Sequence, residues 1–231
     1  MLLLIIEDVE NMNIIAILAS GVGNRYGAQI PKQFVIIKGK MLIEYVIASV
    51  MDSKLVDKVI VVTDIESNAP IIGKICEENG IEMVQGGDTR NRSLQNAIDY
   101  IAVNYNCEKL IVVDAVRPMI TGELMDEYFK RLDTADTVVT AQKVTDSLGC
   151  YDMHTCDRDR YYLMSSPEAF DFEYLRNHYD CESDLVEVTQ QFPEDCNIDL
   201  YFGFRNNMKL TYKEDYKLLE ALIEYKDNEM S

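Results

Sequence analysis

Long hydrophobic runs are absent from this sequence. No stretch of its 231 residues approaches the ~20 apolar residues needed to span a bilayer, so a helical membrane protein is not expected. The N-terminal MLLLIIEDVENMN has an apolar run at residues 2–6. No basic segment precedes it, acidic residues follow at once, and no small-residue cleavage site is present. That pattern is not a signal peptide. Residues 1–12 are read as an N-terminal extension, with Met12, just before the first good strand, as an alternative start.

Basic residues are scarce. There are 22 Lys and Arg against 40 Asp and Glu, a formal net charge of −18. That argues against nucleic acid as a partner, since phosphate backbones demand basic surface. Anionic membrane surfaces are disfavoured for the same reason. A phosphorylated small ligand would need positive charge concentrated locally, so the positions of the few Arg and Lys residues are informative.

The six cysteines include no C-x-x-C pair, and they read as reduced thiols of a cytoplasmic protein. Cys150, His154 and Cys156 could supply three zinc ligands. Their spacing matches no common structural zinc pattern and a fourth ligand is missing, so no zinc site is expected. No Pro/Gly/Ser linker and no internal repeat interrupts the chain, which is read as one domain over residues 13–225.

What is present is apolar periodicity, with 48% hydrophobic residues, enough for a sizeable core. The runs NIIAIL (residues 13–18), VDKVIVVTD (56–64) and KLIVVDAVRP (109–118) predict buried parallel strands. IEMVQGGD (81–88) and DTVVTAQ predict two more. Between them lie helical patterns: residues 41–51, 71–80 with Gly80 as terminator, 94–102 and 123–132. A last helix is expected to open with a Thr211–Glu214 capping box. Residues 145–167 lose all periodicity and are read as an arm leaving the core. Alternating strands and helices imply an α/β fold with a doubly wound, mostly parallel, Rossmann-like sheet. In such sheets ligands bind beyond the carboxyl ends of strands, where this chain has polar loops at 19–32, 86–93 and 114–118.

The first loop reads ASGVGNRYGAQIPKQF (19–34). It is neither G-x-x-x-x-G-K-[ST] nor G-x-G-x-x-G. Glycines let backbone N–H groups approach an anion, and Arg25 and Lys32 stand ready beside them. Taken alone, such a loop is equally well a tight turn with a solvated lysine. Arg158 alone, in CDRDR, reads as solvated surface, and Asp114 alone as a turn cap.

Four stretches in order change that. The loop above, GGDTRNRSLQNAI (86–98), VVDAVRP (112–118) and NMKLT (207–211) resemble the signatures of the 2-C-methyl-D-erythritol 4-phosphate cytidylyltransferase family, which includes a ribitol-5-phosphate branch. The resemblance runs over residues 13–223. It implies a homodimeric nucleotidyltransferase fold that transfers CMP from CTP to a polyol phosphate and releases pyrophosphate. By resemblance, Arg25 and Lys32 hold the triphosphate, and Ala19, Ser20, Gly21 and Gly23 line the nucleotide site. Gly86, Gly87 and Asp88 contact the cytosine, with Ser93 nearby. Asp114 binds Mg²⁺, and Lys209 is a second cation at the α-phosphate. Arg158 and Ser147 belong to the acceptor side on an arm that crosses to the other subunit, with Ser183 in the same pocket and Arg117 close to the acceptor phosphate. Arg25, Lys32, Arg158 and Lys209 thus carry the chemistry.

The sequence departs from that pattern at Val113, at SSPEAF (165–170) and at Asn206, where an acidic residue and so a second metal ligand would be expected. These departures leave the acceptor open between methylerythritol phosphate and ribitol or another alditol phosphate. A sugar-phosphate nucleotidyltransferase using UTP or GTP, and a non-catalytic relative, are the competing classes.

Overall fold

The computed structural model describes residues 10–21, 30–152 and 156–229. In chain order these form β1 (Met12–Leu18), the two-residue strands β2 (Ile36–Ile37) and β3 (Lys40–Met41), α1 (Leu42–Met51), β4 (Lys58–Thr63) and α2 (Ile65–Glu78). There follow β5 (Glu82–Gln85), α3 (Arg90–Asn104), β6 (Cys107–Asp114), α4 (Gly122–Arg131), β7 (Thr137–Lys143), β8 (Tyr162–Asp171), α5 (Phe172–His178), β9 (Ile198–Tyr201) and α6 (Asp215–Glu229).

The three long apolar runs lie together at the centre. β1 pairs in parallel with β4 on one side and β6 on the other. Covered on both faces, these strands need apolar side chains at every position, which explains their unbroken Ile/Val runs. The sheet order is β5-β4-β1-β6-β8-β7-β9. It is mostly parallel as expected, with β8 antiparallel to both its neighbours, β6 and β7. Alternate residues feed opposite cores. Ile15, Ile17, Val61, Ile111 and Val113 face α1, α2 and α4 through Val46, Ile72 and Met125. Ile14, Ala16, Val62, Leu110 and Val112 face α3 and α5 through Leu94, Ala97, Ile101 and Leu175. Leu219 and Ile223 of α6 close a third cluster with Ile37, Leu42 and Leu210.

Three expectations are corrected. α2 begins at Ile65 and carries Pro70 inside it. The carbonyl that Pro70 cannot serve belongs to exposed Glu66, so the lost bond is tolerated. α6 begins at Asp215, whose Oδ2 accepts from the Thr211 and Tyr212 N–H groups at 2.9 and 2.7 Å. Asp215 thus holds the turn that leads into α6, taking the Thr211 N–H that Glu214 was expected to accept. Finally, residues 162–167 of the expected arm are part of β8. The β7–β8 register shifts between Val139 and Thr140, opposite Ser166 and Pro167. A proline has no N–H to give the ladder, so this strand reads as a break in sequence and forms only because β6 and β7 flank it.

Candidate active site

β1, β4 and β6 end side by side at Leu18, Thr63 and Asp114. The loops leaving them wall a cleft of ≈ 790 Å³. Ala19, Ser20, Gly21, Lys32, Gly86, Gly87, Asp88, Ser93, Asp114 and Lys209 all line it. Gly23 and Arg25 lie outside the described residues.

Hydrogen bonds and close approach shape the nucleotide side. The Gln33 amide donates to the Ala19 carbonyl at 2.7 Å, and the Ser20 hydroxyl to the Val62 carbonyl at 3.1 Å. The Gly86 N–H donates to the Thr63 carbonyl at 2.8 Å, which sets Gly86 against Ser20. A Cβ at position 86 would fall 1.9 Å from Ser20 Oγ, so the two loops meet only because residue 86 has none. Ser93 is buried, and its Oγ accepts the Gly87 N–H at 3.1 Å. Thr89 caps α3, accepting from the Arg92 N–H at 3.1 Å.

Asp114 is 7% exposed. Its Oδ2 lies 2.8 Å from Lys209 Nζ and 3.3 Å from Arg117 Nε, and its Oδ1 lies 3.8 Å from Arg90 Nε. Burial alone would raise the carboxyl's pKa. Lys209, Arg90 and Arg117 outweigh it and hold Asp114 well below the ordinary carboxylate range. Asp114 is therefore ionised at neutral pH. Its N–H donates to Ser166 Oγ at 2.9 Å, which gives one of the departing SSPEAF residues a defined task.

Arg117 is held away from the cleft lining. Its Nη1 donates to the Asn207 carbonyl at 2.9 Å, and the Asn207 amide donates to the Ser166 carbonyl at 2.7 Å. Ser147 and Arg158 are exposed and do not line the cleft; Arg158 donates to the Thr145 carbonyl. The Ser183 carbonyl accepts from Asn91 Nδ2 at 2.9 Å, and Val186, three residues on, does line the cleft. Val113 is buried in the core and Asn206 is exposed. His154 lies outside the described residues, and among those described no group of three or more His, Cys, Asp or Glu could hold a metal. All six cysteines are free thiols.

Arg90 was missed as a site residue. It lines the cleft, its Nη1 donates to the Val186 carbonyl at 2.9 Å, and its Nη2 lies 3.6 Å from Glu168 Oε2. Burial would weaken its charge, but Asp114, Glu168 and Glu187 outweigh that and raise its pKa. The available signal was its place as a cation in a glycine loop of an otherwise acidic chain.

A single carboxylate oxygen could serve a hard divalent cation such as Mg²⁺. Mg²⁺ takes few protein ligands, one or two carboxylates, and completes its shell with phosphate and water oxygens. Asp114 Oδ1, with Arg90 no closer than 3.8 Å, fits as that single carboxylate.

The family model for 2-C-methyl-D-erythritol 4-phosphate cytidylyltransferase matches residues 13–225. The chain belongs to this family. Its members are cytidylyltransferases, a kind of nucleotidyltransferase. A 2-C-methyl-D-erythritol 4-phosphate cytidylyltransferase of Thermotoga neapolitana is 28% identical over 91% of this chain and 96% of its own. The bifunctional ribulose 5-phosphate reductase/CDP-ribitol pyrophosphorylase Bcs1 of Haemophilus influenzae is 30% identical over 93% of this chain, which spans 49% of that longer protein. The crystal structure of the 4-diphosphocytidyl-2C-methyl-D-erythritol synthase of Anaerococcus prevotii superposes with a TM-score of 0.79. It is 25% identical and covers 93% of this chain and 99% of its own. Among the described residues no helix is long and apolar enough to cross a membrane.

Proposed function

We propose that this protein transfers CMP from CTP to a polyol phosphate and releases pyrophosphate, with 2-C-methyl-D-erythritol 4-phosphate the favoured acceptor. The observation that carries this is one cleft in which the glycine loops, Lys32, Lys209 and the ionised Asp114 meet at adjacent strand ends. An oxygen of the acceptor phosphate attacks the α-phosphorus in line. A new P–O bond forms, the α–β bridge breaks, and the electron pair leaves with pyrophosphate.

Such a reaction needs positioning and charge stabilisation above all. Lys209 approaches from the loop after β9 and meets the charge that grows at the α-phosphate. Lys32, with Arg25, holds the β- and γ-phosphates that depart. The backbone at 19–21 and 86–87, where Gly86 has no Cβ to clash with Ser20, admits the nucleotide, with Asp88 and Ser93 at its cytosine. Bound at Asp114, Mg²⁺ would neutralise phosphate charge.

The acceptor side is completed by a second copy of the chain in this proposal. Ser147 and Arg158 are exposed on the segment before β8, outside the cleft of their own chain, where a partner's cleft can receive them. A guanidinium suits bidentate capture of the acceptor phosphate. Ser183 is fastened to Asn91 beside the cleft, and Arg117 braces Asn207 and Asp114. The likeness to Bcs1 over 93% of the chain favours ribitol 5-phosphate as the second acceptor to test. The compartment proposed is the cytoplasm.

Pyrophosphate release measured with each nucleoside triphosphate against methylerythritol, ribitol and other alditol phosphates tests this. Release with CTP alone is expected. Release with UTP or GTP and not CTP would overturn the assignment, and no release with any pair would favour a non-catalytic relative.

A further inference from the structure

Arg90 stands between two carboxylates and reaches hydrogen-bond distance of neither. Its Nε is 3.8 Å from Asp114 Oδ1 and its Nη2 is 3.6 Å from Glu168 Oε2. Glu168 is 0% exposed and lies on β8 opposite Val112, two residues before Asp114 on β6. Its Oε1 accepts the Thr189 hydroxyl at 3.1 Å. Its Oε2 is buried with no hydrogen-bond partner among the described residues. A buried carboxylate oxygen left in that state is costly, and such exceptions call for a cause. A small shift of the Arg90 guanidinium would supply the missing donor.

The same guanidinium faces Asp114 from the side a metal would use. Oδ2 of Asp114 is already engaged by Lys209 and Arg117, which leaves Oδ1, and Arg90 is the cation beside it. If Arg90 closed on Oδ1 it would exclude a divalent cation by occupancy and by charge. If it closed on Glu168 it would clear that oxygen. Two neighbouring carboxylates competing for one guanidinium therefore set whether Asp114 is open.

We propose that Arg90 and Glu168 form a positioning pair for the metal-binding carboxylate, in which Glu168 draws the guanidinium off Asp114 Oδ1 as metal and nucleotide arrive. This rests on the cytidylyl-transfer reading above. It also links the two halves of the site. Arg90 holds the Val186 carbonyl, and its neighbour Asn91 holds the Ser183 and Leu185 carbonyls at 2.9 and 3.0 Å. The wall at 183–186 is thus fastened to the residue that attends Asp114. Burial pushes the Glu168 carboxyl up from its ordinary range, with Arg90 opposing and Glu187 adding to it.

The test is Mn²⁺ binding, read from the electron paramagnetic resonance signal of the free ion, with a non-hydrolysable CTP analogue and no acceptor. Glu168→Gln keeps the shape, keeps an oxygen for Thr189 and removes the charge that holds Arg90 away. We expect its Mn²⁺ Kd to rise about tenfold, the weight of a charge-assisted hydrogen bond. Arg90→Met removes the competitor and should bind Mn²⁺ at least as tightly as the wild type. In the Arg90→Met background, Glu168→Gln should then have no effect on Mn²⁺. A merely structural role would weaken binding in both single variants. An unchanged Kd in Glu168→Gln overturns the inference, as does a loss that persists without Arg90. Should Glu168→Gln fail to fold, weaker Mn²⁺ binding by Arg90→Met overturns it alone. Wild-type protein that takes up no Mn²⁺ with the analogue overturns the cytidylyl-transfer reading, and the pair with it.

Discussion

Lys209 Nζ lies 2.8 Å from Asp114 Oδ2, joining residues 95 positions apart. The loop that carries Lys209 is fixed by the Leu210 N–H, which donates to the Val116 carbonyl at 3.1 Å. The ammonium thus reaches over the end of β6 to a carboxylate that burial alone would neutralise. Removing that charge strands Lys209, Arg117 and Arg90 around a neutral group. Asp114→Asn is expected to lower turnover at least ~100-fold and to lower Tm by several degrees. Steady-state pyrophosphate release and a thermal melt check the two parts separately.

Lys32 lines the same cleft as Asp114, directly after Pro31. If it holds the triphosphate and the charge that leaves with pyrophosphate, Lys32→Ala lowers turnover at least ~100-fold, about 2.7 kcal/mol of transition-state stabilisation. Turnover near that of the wild type would remove Lys32 from this role.

Gly86 and Ser20 test the close approach of the two glycine loops. In Gly86→Ala the new methyl would lie 1.9 Å from Ser20 Oγ and 2.7 Å from Ser20 Cβ, so one loop must move. We expect CTP binding, measured by calorimetry, to weaken at least ~10-fold. Adding Ser20→Gly, which removes both clashing atoms, should restore a substantial part of it. A Gly86→Ala protein that binds CTP normally would show that the loops do not meet in the working enzyme.

Complementation examines whether the acceptor site needs a second copy. Lys32→Ala and Arg158→Ala proteins should each be nearly inactive. Unfolded and refolded together, they should form mixed dimers with one intact site each, recovering roughly a quarter of wild-type activity. No recovery, with a dimer verified by sedimentation, would place Arg158 outside the partner's site.

Stability in acid is expected to depend on Glu82. Its carboxylate accepts from Lys58 Nζ at 2.6 Å and from the Tyr100 and Tyr105 hydroxyls at 2.6 and 2.5 Å. The Lys58 contact first, then the two tyrosines, bring its pKa down from 4.5 to about 2. A carboxyl with a lowered folded-state pKa contributes stability above its unfolded value and loses it as pH falls toward the folded one. Tm of the wild type should therefore drop between pH 4.5 and about 2 more steeply than Tm of Glu82→Gln. Parallel profiles would show that this cluster makes no contribution.

The central sheet was legible because burial on both faces writes itself as unbroken Ile/Val runs, as in β1, β4 and β6. The glycine loops and the Asp114 and Lys209 motifs were legible because their residue types are rare in combination. β8 was not legible. Its Ser-Ser-Pro interior has no periodicity of its own, and its pairing comes from β6 and β7. The start of α6 was misplaced, since Thr211 and Glu214 have capping-box spacing and only the fold gives the Thr211 N–H to Asp215 instead.

By itself the sequence determined the α/β class, the strand ends where ligands gather, and the residue types for handling phosphate. Those features rest on local patterns, namely periodicity, glycine placement and the scarcity of positive charge. Tertiary structure alone decided which charges meet. It turned Arg117 toward Asn207 and Asp114, gave Ser166 the Asp114 N–H, left Arg158 outside its own cleft, and set Arg90 between Asp114 and Glu168. The physical reason is that electrostatic coupling falls with distance in space, and spacing along the chain says nothing of the few ångströms that separate Lys209 from Asp114.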